Sequence, residues 1–354
     1  MLTHAHYMTE CLTLAARGAG AVAPNPRVGA LIVHGERILG RGFHEAFGGP
    51  HAEVNAVRSV NDPTLLSQST LYVSLEPCCH FGKTPPCTDL IIESKIPRVV
   101  IGITDIFAKV AGGGIQRLRD AGVEVTLNVC AEACFEMNRR FFTFHALKRP
   151  YVILKWAETS DRYLARLDGT SRWITGEEAR TEVHRWRAEE ASIMVGRRTA
   201  ELDDPALTVR HVTGRHPLRV VLDRELTLPP NLQLFDRSTP TLIFNALRQG
   251  AEPNIEYIKV APTLPLHAIL TELHTRGVLS VIIEGGGKLL SSVVNADLWD
   301  EARVFRNPHL TFGAGVEAPR LALAPHHLSM IGSDELTIYR NHSFDAVKAR
   351  CIHG

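Results

Sequence analysis

The sequence predicts two α/β domains joined in tandem. The chain has 354 residues, and at ~150 residues per domain this length suggests two domains. Short apolar stretches alternate with helical patterns along both halves, as expected for sheets covered by helices. A basic segment, 147–150, separates the halves where a new apolar stretch begins. We therefore expect one domain over residues 1–146 and a second over residues 150–354.

The first half begins with a helix, since apolar residues recur at helical spacing from Leu2 to Ala15. The elements expected after it are two hairpin strands over 28–33 and 38–43, a helix over 51–60, a strand over 70–75, a helix over 88–94, a strand over 98–104, a helix over 115–121, a strand over 123–127 and a helix over 131–144. Strands separated by short helices predict a mostly parallel sheet.

The second half alternates in the same way. Its expected strands cover 151–156, 192–196, 218–223, 241–245, 255–260, 280–284, 302–305 and 336–340. Thr175-Gly176-Glu177-Glu178 has the pattern of a capping box, so we expect a helix from there to about Glu190. The sequence contains no internal repeat, and two α/β domains in tandem are the simplest interpretation.

Composition and charge narrow the class of protein. Hydrophobic residues make up 45% of the chain and charged residues 22%, which is typical of globular proteins. Residues 1–148 contain 14 Lys+Arg against 13 Asp+Glu, and residues 149–354 contain 25 of each. Neither half has the basic excess that binding to a phosphate backbone requires, so we expect no nucleic-acid partner. A small phosphorylated substrate remains compatible.

Membrane and export signals are not expected. No apolar run approaches the ~20 residues that span a bilayer, so we expect no membrane association. The N-terminal stretch is interrupted by His4, His6 and Glu10, unlike the apolar core of a signal peptide. The seven cysteines are an odd number, and three of them lie between positions 78 and 87, which favours a metal or thiol site in a reducing compartment. We expect a cytoplasmic protein.

Three segments of the first half carry metal-binding residue types. They are Gly49-Pro50-His51-Ala52-Glu53, Glu76-Pro77-Cys78-Cys79-His80 and Lys83-Thr84-Pro85-Pro86-Cys87. A catalytic zinc ion takes three protein ligands and leaves a fourth position for water. We predict one Zn²⁺ held by His51, Cys78 and Cys87, with Glu53 moving protons beside it. His-x-Glu followed by Pro-Cys and a further Cys is the signature of zinc nucleobase deaminases.

Each part of this pattern has a plainer alternative, because His-x-Glu is common and cysteines are often buried as small apolar residues. The joint pattern favours the metal. Both ligand segments precede predicted helices, and a helix N-terminus favours thiolate over thiol. Cys78 is preferred to Cys79 because it follows Pro77, which leaves Cys79 as a packing residue or a thiol close to the metal.

The spacing of the cysteines carries a resemblance to a known family. Eight residues separate Cys78 from Cys87, whereas two separate the cysteines in most such deaminases. The string from Glu76 to Cys87, together with Pro24-Asn25-Pro26-x-Val28-Gly29 and Pro50-His51-Ala52-Glu53, resembles the bifunctional deaminase–reductases of riboflavin biosynthesis. The second half adds three matching segments, which are Lys155 to Trp173, Asp203 to Arg210, and Glu284 to Leu289.

For the first half, the resemblance implies a cytidine-deaminase-like three-layer domain. It would remove ammonia from 2,5-diamino-6-(5-phosphoribosylamino)pyrimidin-4(3H)-one, with His51, Cys78 and Cys87 as zinc ligands and Glu53 as the catalytic proton donor. The positions that match the substrate pocket are Asn25, His44, His80 and Lys83. An ammonium suits a phosphate dianion, although Lys83 could equally be a solvated loop lysine, and the two histidines could serve only as hydrogen-bonding groups.

For the second half, the resemblance implies a dihydrofolate-reductase-like domain. It would use NADPH to reduce the ribosyl group of 5-amino-6-(5-phosphoribosylamino)uracil to ribityl. Positions that match cofactor contacts are Ala157, Trp173, Thr199, Asp203, Gly286, Gly287 and Lys288. Positions that match substrate contacts are Ser171, Arg187, Leu207, Arg210 and Glu284. The family also implies a homo-oligomer.

Some of these assignments have a physical basis and an alternative. A strand leads into Gly285-Gly286-Gly287 and then into a helix, so backbone N–H groups could approach a pyrophosphate, or the glycines could form a tight turn. Arg187 and Arg210 could clamp the ribose phosphate or serve as surface ion-pair partners. We conjecture that Arg197 or Arg198 neutralises the 2′-phosphate of NADPH.

Two departures from the family pattern affect the expected sites. Where the family often has Asp-Pro-Asn-Pro, this chain has Asp105-Ile106-Phe107-Ala108, so an asparagine at the substrate pocket is missing. Asp161-Arg162 replaces the usual Asp-Gly, so we expect a turn that is built differently.

Two rival functions also remain open, namely a deaminase acting on a base in tRNA or DNA, and a C-terminal half that only binds a nucleotide or mediates assembly.

Overall fold

The computed structural model describes residues 2–81, 85–107, 110–167 and 173–353. The chain divides into two compact units, the first formed by 1–147 with 346–354 and the second by 148–345. The grouping of 346–354 with the first unit was not predicted from the sequence. Among the described helices, none has the length and apolar character needed to cross a bilayer.

The first unit is a mixed sheet with helices on both faces. Its elements are α1 (His4–Ala16), β1 (Gly29–His34), β2 (Arg37–Phe43), α2 (Ala52–Arg58), a 3₁₀ helix (Pro63–Gln68), β3 (Thr70–Val73), α3 (Cys87–Glu93), β4 (Arg98–Ile101), α4 (Gly113–Asp120), β5 (Glu124–Thr126), α5 (Ala131–Met137) and α6 (Arg139–Leu147). The strand order is β2-β1-β3-β4-β5. Strands β2, β3, β4 and β5 run in the same direction and β1 runs opposite to them, because β1 pairs antiparallel with both β2 and β3. Four of the five strands thus share one direction, as expected for a mostly parallel sheet, although β1 makes both of its pairings antiparallel.

Two faces of the sheet carry different helices. Ala30 and Ile32 of β1 join Leu71 of β3 in a core with residues of α2, α3 and α4. Successive side chains of a strand point to opposite faces. Accordingly Tyr72, the next residue of β3, turns to the other face, where its ring lies 4.9 Å from that of Tyr7 in α1. Helices α1 and α5 pack together on that side, which gives three layers.

Helix α2 lies unusually close to the sheet. A Cβ atom on Gly42 of β2 would come within 2.3 Å of the carbonyl oxygen of Ala52, so only glycine allows this approach. The N-terminus of α2 is thereby held directly over the sheet, and His51 caps it. This packing determines where His51 and Glu53 stand.

The helix expected over 131–144 is broken in two. Asn138 lies between α5 and α6 with φ −116° and ψ 20°, outside helical geometry. Its buried carboxamide hydrogen-bonds the backbone of Arg27, a contact that no local pattern signals. The apolar period continues across the break, which explains why the sequence predicted one helix.

The second unit contains a long sheet. Its elements are β6 (Tyr151–Thr159), β7 (Tyr163–Ala165), α7 (Glu177–Glu189), β8 (Ser192–Gly196), α8 (Arg197–Asp203), β9 (Leu218–Leu222), a 3₁₀ helix (Gln233–Phe235), β10 (Thr241–Asn245), β11 (Gly250–Glu252), β12 (Ile255–Lys259), α9 (Leu266–Thr275), β13 (Ser280–Glu284), α10 (Gly287–Asn295), β14 (Glu301–Asn307), β15 (Val316–Glu317), β16 (His327–Ile331) and β17 (Asp334–Arg340). Helix α11 (His342–His353) follows, and the division between the units falls within it.

The order in the large sheet is β11-β12-β10-β9-β8-β13-β6-β14-β17-β16. The seven central strands in this order, from β12 through β10, β9, β8, β13 and β6 to β14, are parallel. Strands that pair antiparallel complete both edges. Each face has its own apolar core. Parallel strands bring their carboxyl ends to one edge of the sheet, and ligands of open α/β sheets bind at that edge.

Two local expectations for this unit were wrong. The capping box at 175–178 does not form, because Gly176 is the N-cap of α7 and its backbone N–H donates to Asp334 Oδ2 at 2.7 Å. The turn at Arg162 is not rebuilt either. Arg162 itself adopts φ of 68°, in the left-handed region that glycine favours, and its N–H donates to Thr159 O at 2.9 Å.

Candidate active sites

Three side chains of the first unit converge around one point. The ligand-type atoms of His51, Cys78 and Cys87 all lie within 4.8 Å of one another, and within the described part of the chain they form the only such group of metal-binding residues. His51 Nδ1 is 3.2 Å from Cys87 Sγ and 3.5 Å from Cys78 Sγ. The sequence predicted these same three residues as a set.

The distances between these atoms fit a tetrahedral zinc ion. Zinc bonds of about 2.3 Å to sulfur and about 2.0–2.1 Å to nitrogen, at tetrahedral angles, place nitrogen and sulfur about 3.6 Å apart. The two observed nitrogen–sulfur distances are close to that value. One imidazole and two thiolates are also ligands that zinc prefers, so the donor set fits the metal in both geometry and chemistry.

The local fold positions each of the three groups. His51 is the N-cap of α2, and Cys87 is the first residue of α3. Cys78 is tied to the same helix start, because its carbonyl accepts the N–H of Thr88 at 3.2 Å and its Sγ accepts the N–H of Cys87 at 3.4 Å. Two helix N-termini therefore point at the site and favour negative charge there.

The electrostatics of the site suit a metal and a proton carrier. Hydrogen bonds from Cys87 and then His51 lower the pKa of the Cys78 thiol to about 4, so it is a thiolate at neutral pH. The hydrogen bond to Cys78 raises the pKa of His51. Glu53 is 3% exposed, and burial raises the pKa of its carboxyl although His51 opposes the shift. A carboxyl of raised pKa is suited to general acid–base work.

A hydrogen-bonded chain leads away from His51. His44 Nδ1 donates to the carbonyl of Pro50 at 3.0 Å, since a carbonyl can only accept. His44 Nε2 is therefore the acceptor and takes a bond from Asn25 Nδ2 at 3.1 Å. Burial lowers the pKa of His44, which keeps its ring neutral. The ring of His44 lies 5.5 Å from that of His51, so Asn25 and His44 adjoin the three ligand-type residues.

The other predicted substrate residues of this unit lie in the Cys78–Cys87 segment. His80 is half-buried, and its Nδ1 is buried without a hydrogen-bond partner among the described residues. Its ring is 6.4 Å from that of Phe107. Lys83 lies outside the described residues. Cys79 is half-buried and is not part of the group of three.

Glu76 is a residue of this site that sequence reasoning missed. It is 4% exposed, and each carboxylate oxygen accepts two backbone N–H groups. Oε2 accepts from Asp105 at 3.1 Å and Gly112 at 3.0 Å, and Oε1 accepts from Gly114 at 2.9 Å and Ile115 at 3.2 Å. Glu76 thus joins the start of α4 to the segment that carries Cys78. Its position two residues before a ligand was the available signal.

The segment that departs from the family pattern follows β4. Asp105 is buried. Its burial, and to a smaller extent the nearby Glu76 carboxylate, raises its pKa to about 7. The N–H of Phe107, which donates to Asp105 Oδ1 at 2.8 Å, opposes this rise. The ring of Phe107 lies between those of His80 and His145, at 6.4 and 4.9 Å. An aromatic side chain therefore stands where the sequence predicted a missing asparagine, and Ala108 lies outside the described residues.

The second unit contains a buried ion pair at the end of β13. Glu284 accepts two hydrogen bonds from Arg187, from Nε at 3.1 Å and from Nη2 at 2.9 Å. Lys155 Nζ is 3.7 Å from the same carboxylate. Burial alone would raise the pKa of Glu284, but Arg187 and Lys155 outweigh it and hold the pKa at about 2. Arg187 is thus a buried ion-pair partner, whereas the alternative considered from the sequence was a surface ion pair.

Helix α7 also holds the segment from Leu207 to His211. Arg187 Nη1 donates to the carbonyl of Thr208 at 3.4 Å, and the backbone N–H of Arg210 donates to His184 Nδ1 at 3.2 Å. Burial, followed by the positive charge of Arg187, lowers the pKa of His184 to about 4, so its ring accepts this bond in the neutral form. Leu207 is buried, with φ of 53°.

An open cleft of about 630 Å³ lies beside this segment, and the described residues that line it are Trp173, Arg180, Arg210 and His211. The guanidinium of Arg180 lies 4.8 Å from the centre of the Trp173 ring, which is 66% exposed. Arg210 is exposed and its side chain has no partner among the described residues. The sequence predicted Trp173 and Arg210 but not the roles of Arg180, His184 or His211. Ser171 lies outside the described residues.

Two helices begin side by side at the ends of β8 and β13. The N–H of Gly286, the N-cap of α10, donates to Thr199 Oγ1 of α8 at 2.9 Å. Neither Gly285 nor Gly286 has positive φ, and a Cβ atom on either would make only ordinary contacts, so the fold itself does not require glycine there.

Three of the remaining residues predicted to bind the cofactor belong to these two helices, and Ala157 lies on a strand. Asp203 is exposed at the end of α8, Lys288 is exposed in the first turn of α10, and Gly287 is buried beside it. Ala157 lies on β6, opposite Phe305 of β14. Of the two conjectured phosphate partners, Arg197 is paired with Glu201 at 2.7 Å, whereas Arg198 has no partner among the described residues.

Comparison with known proteins covers both units. The model of the cytidine and deoxycytidylate deaminase zinc-binding region matches residues 1–103, and that of the RibD C-terminal domain matches residues 150–327. The riboflavin biosynthesis protein RibD of Aquifex aeolicus is 39% identical over 324 residues, which are 90% of each chain. The same protein of Synechocystis is 37% identical and covers 95% of this chain and 96% of its own.

Solved structures agree over the same length. A diaminohydroxyphosphoribosylaminopyrimidine deaminase/5-amino-6-(5-phosphoribosylamino)uracil reductase from Thermotoga maritima is 36% identical, with a TM-score of 0.87 over 95% of this chain and 98% of its own. RibD of Acinetobacter baumannii is 31% identical, with a TM-score of 0.86 over the same shares.

These matches confirm the predicted fold class, a deaminase-like α/β domain followed by a reductase domain. They also confirm that the enzyme combines a deaminase with an oxidoreductase. The chain belongs to the RibD family, the bifunctional deaminase–reductases of riboflavin biosynthesis.

Proposed function

We propose that the first unit binds one Zn²⁺ through His51, Cys78 and Cys87 and deaminates 2,5-diamino-6-(5-phosphoribosylamino)pyrimidin-4(3H)-one. The observation that carries this proposal is the convergence of one imidazole and two thiols at nitrogen–sulfur distances of 3.2 and 3.5 Å, next to the buried Glu53. The substrate is that named for the Thermotoga maritima relative.

Each residue near this group has a distinct task. When bound, Zn²⁺ supplies the activation of water for attack on the ring carbon that bears the amino group. The Glu53 carboxylate takes one proton from the attacking water and delivers it to the ring nitrogen, and then carries the second proton of that water to the amino group, which leaves as ammonia. Burial raises the pKa of Glu53, which suits it to hold each proton in turn. Asn25 binds the ring, because its amide nitrogen is engaged by His44 and its oxygen has no partner among the described residues. His80 and Lys83 are assigned to the substrate on their sequence positions.

For the second unit we propose NADPH-dependent reduction of 5-amino-6-(5-phosphoribosylamino)uracil. When bound, NADPH supplies the hydride, so the protein mainly binds and orients. The start of α10 at Gly286 and Gly287 suits a pyrophosphate, since a Cβ atom on Gly286 would meet only the Thr199 hydroxyl, at 3.5 Å, so a ligand can approach the backbone there. Thr199 adjoins this helix start, and we assign the remaining cofactor contacts to Ala157, Trp173, Asp203 and Lys288.

We assign the ribose phosphate of the reductase substrate to Arg210. Its guanidinium is exposed in a cleft that also presents Arg180 and His211, and it has no partner among the described residues. Each nitrogen of Arg187 already donates one hydrogen bond, to Glu284 or Thr208, so we assign Arg187 chiefly to orienting Glu284 toward the substrate. Leu207 and Ser171 complete the substrate contacts in this proposal.

The proposal is tested by two variants that separate the activities. Glu53→Gln keeps the shape of the side chain but cannot carry the proton, so ammonia release should fall about 10²- to 10⁴-fold. NADPH oxidation on deaminated substrate should be unchanged. Arg210→Ala should do the reverse, raising the KM of the reductase for its phosphorylated substrate and leaving ammonia release intact.

The matched control for Arg210 is Arg215→Ala. Arg215 is exposed in the same loop and has no partner among the described residues. Both activities should survive in this variant. Equal loss of both activities in folded Glu53→Gln and Arg210→Ala proteins would contradict the two-site proposal.

We propose that Arg198 reads the 2′-phosphate of NADPH. Arg197 is paired with Glu201 and therefore less available, whereas Arg198 is exposed and has no partner in the described part of the chain. Arg198→Ala should lower the preference for NADPH over NADH, and Arg197→Ala should leave it nearly unchanged. An unaltered preference in the double variant would refute the assignment.

We also propose a homo-oligomer without nucleic-acid partners. Residues 1–148 carry 14 basic against 13 acidic side chains, and residues 149–354 carry 25 of each, which offers nucleic acid no basic surface excess. Sedimentation velocity of the full chain, with and without tRNA or single-stranded DNA, tests both statements. A monomeric protein would contradict the proposed homo-oligomer. A complex with either nucleic acid at physiological salt would contradict the proposed absence of a nucleic-acid partner.

A further inference from the structure

A break in a helix of the first unit has a specific cause. Asn138 separates α5 from α6, its N–H donates to Phe135 O at 3.0 Å, and its carbonyl accepts the N–H of Phe142 at 3.0 Å as α6 begins. The side chain is 4% exposed. Because the apolar pattern of 131–144 would support one continuous helix, the interruption must be maintained by a contact outside the helix.

That contact is a two-way pairing with a residue 111 positions away. The backbone N–H of Arg27 donates to Asn138 Oδ1 at 2.8 Å, and Asn138 Nδ2 donates to the carbonyl of Arg27 at 2.8 Å. A carboxamide can satisfy a donor and an acceptor of one residue at once, as a neighbouring strand would. The Asn138 side chain thus completes the backbone hydrogen bonding of Arg27.

The loop that Asn138 holds carries Asn25, and its other backbone hydrogen bonds lie toward its two ends. Pro24 and Pro26 have no N–H to donate, and Asn25 N–H bonds within the loop to Val22 O at 2.8 Å. The N–H of His44 reaches the carbonyl of Val28 at 2.9 Å, at the end of the loop. Between these points, the two hydrogen bonds to Asn138 hold the backbone at Arg27 and thereby restrain the backbone that carries Asn25.

The orientation of the Asn25 side chain depends on the path of this backbone. Its Nδ2 donates to His44 Nε2 at 3.1 Å, and the ring of His44 lies 5.5 Å from that of His51. The Asn25 oxygen has no hydrogen-bond partner among the described residues, and the His44 ring that engages its amide nitrogen lies beside His51. An amide oxygen held in this way accepts a hydrogen bond from the amino or N–H groups of an aminopyrimidine.

We propose that Asn138 is a positioning residue for deamination, which holds the Asn25 loop in the orientation that binds the aminopyrimidine ring. The inference rests on the role of Asn25 in the proposed function. Asn138 acts through the backbone of Arg27 and touches neither substrate nor metal. Its contribution therefore exists only while Asn25 is present to use it.

A double-mutant cycle tests this dependence. The full-length Asn25→Ala, Asn138→Ala and combined variants are compared by kcat/KM for ammonia release, with zinc content measured on each protein. Each single variant should lose about tenfold in kcat/KM, chiefly through KM, and the combined variant should be no worse than Asn25→Ala alone. Zinc content and NADPH oxidation on deaminated substrate should stay at the level of the unchanged enzyme.

The outcomes separate this inference from the proposed function beneath it. If Asn25→Ala has no effect, the assignment of Asn25 fails and the inference fails with it. If Asn25→Ala is impaired but the losses multiply in the combined variant, only the positioning role of Asn138 is overturned. A loss of zinc in Asn138→Ala would likewise overturn it, because the effect would then arise at the metal ligands.

Two further variants keep the test decisive. Asn61→Ala is the matched control, since Asn61 is exposed and makes no side-chain hydrogen bond in the described part of the chain. If Asn138→Ala does not fold, Asn138→Asp takes its place in the cycle. It has nearly the shape of asparagine and keeps the acceptor for the Arg27 N–H, but its second oxygen faces the Arg27 carbonyl, so a clear loss with the same dependence on Asn25 is expected.

Discussion

Replacing Glu76 with glutamine should loosen the ligand-bearing part of the deaminase unit. One of the two acceptor oxygens becomes an NH₂ group, which cannot accept the two backbone N–H groups that it faces. The Gln oxygen should keep accepting the backbone N–H groups of Gly114 and Ile115, because those two hydrogen bonds are fully buried. The amide nitrogen then faces Asp105 and Gly112, of which the Gly112 bond is only partly buried.

The expected cost follows from two lost bonds to a charged acceptor. Hydrogen bonds to charged groups contribute about 1.5–3 kcal/mol each, so Glu76→Gln should lower the free energy of unfolding by about 3–6 kcal/mol. For a unit of this size, about 2–4 °C is lost per kcal/mol, so the melting temperature should fall by at least about 6 °C. The second unit, which does not contain Glu76, should melt as before.

Differential scanning calorimetry of the full chain measures both effects. The transition that shifts when a zinc chelator is added belongs to the first unit, and that transition should move in Glu76→Gln. Glu93→Gln is the matched control, because Glu93 is exposed and has no partner among the described residues. A fall of less than about 2 °C would refute the argument that Glu76 anchors the segment from Asp105 to Ile115.

Two other predictions concern stability. Because the pKa of His184 is lowered from 6.5 to about 4, its contribution to stability is complete above pH 6.5 and is lost as the pH falls toward 4. The difference in melting temperature between the unchanged protein and His184→Asn should therefore be smaller at pH 5 than at pH 7, and a larger difference at pH 5 would contradict this. Lys95 adopts φ of 55° just after α3, where the N–H of Ile96 reaches Ile91 O at 3.2 Å. Lys95→Gly should stabilise the protein by about 0.5–1 kcal/mol in chemical denaturation, and destabilisation would show that the exposed lysine makes a compensating contact.

The convergence of His51, Cys78 and Cys87 could be predicted because the signals are local. Each ligand segment is short, is stiffened by prolines and precedes a helix, so spacing and residue type restrict where the side chains can go. The family resemblance added the identity of the enzyme. Glu53 followed from its place two residues after His51 in the same helix start.

The long-range partners could not be predicted in this way. From the sequence, Arg187 could clamp the ribose phosphate or form a surface ion pair, but it pairs with the buried Glu284, 97 positions away. The four N–H groups around Glu76 come from residues 105–115, and nothing in their types marks them, since every residue other than proline has a backbone N–H. The left-handed backbone at Arg162 was missed for a related reason, because the surrounding contacts impose it against the preference of arginine.

The sequence by itself determined the two α/β domains, most of their strands and helices, and the three ligand-type residues. These depend on apolar periodicity and on motifs of a few residues, which short-range physics controls. The tertiary structure alone decided the antiparallel placement of β1 beside β3, and it broke the helix at Asn138 to hold Arg27. Such features depend on which buried backbone groups lack partners once the chain has folded, and that is a property of the assembled fold.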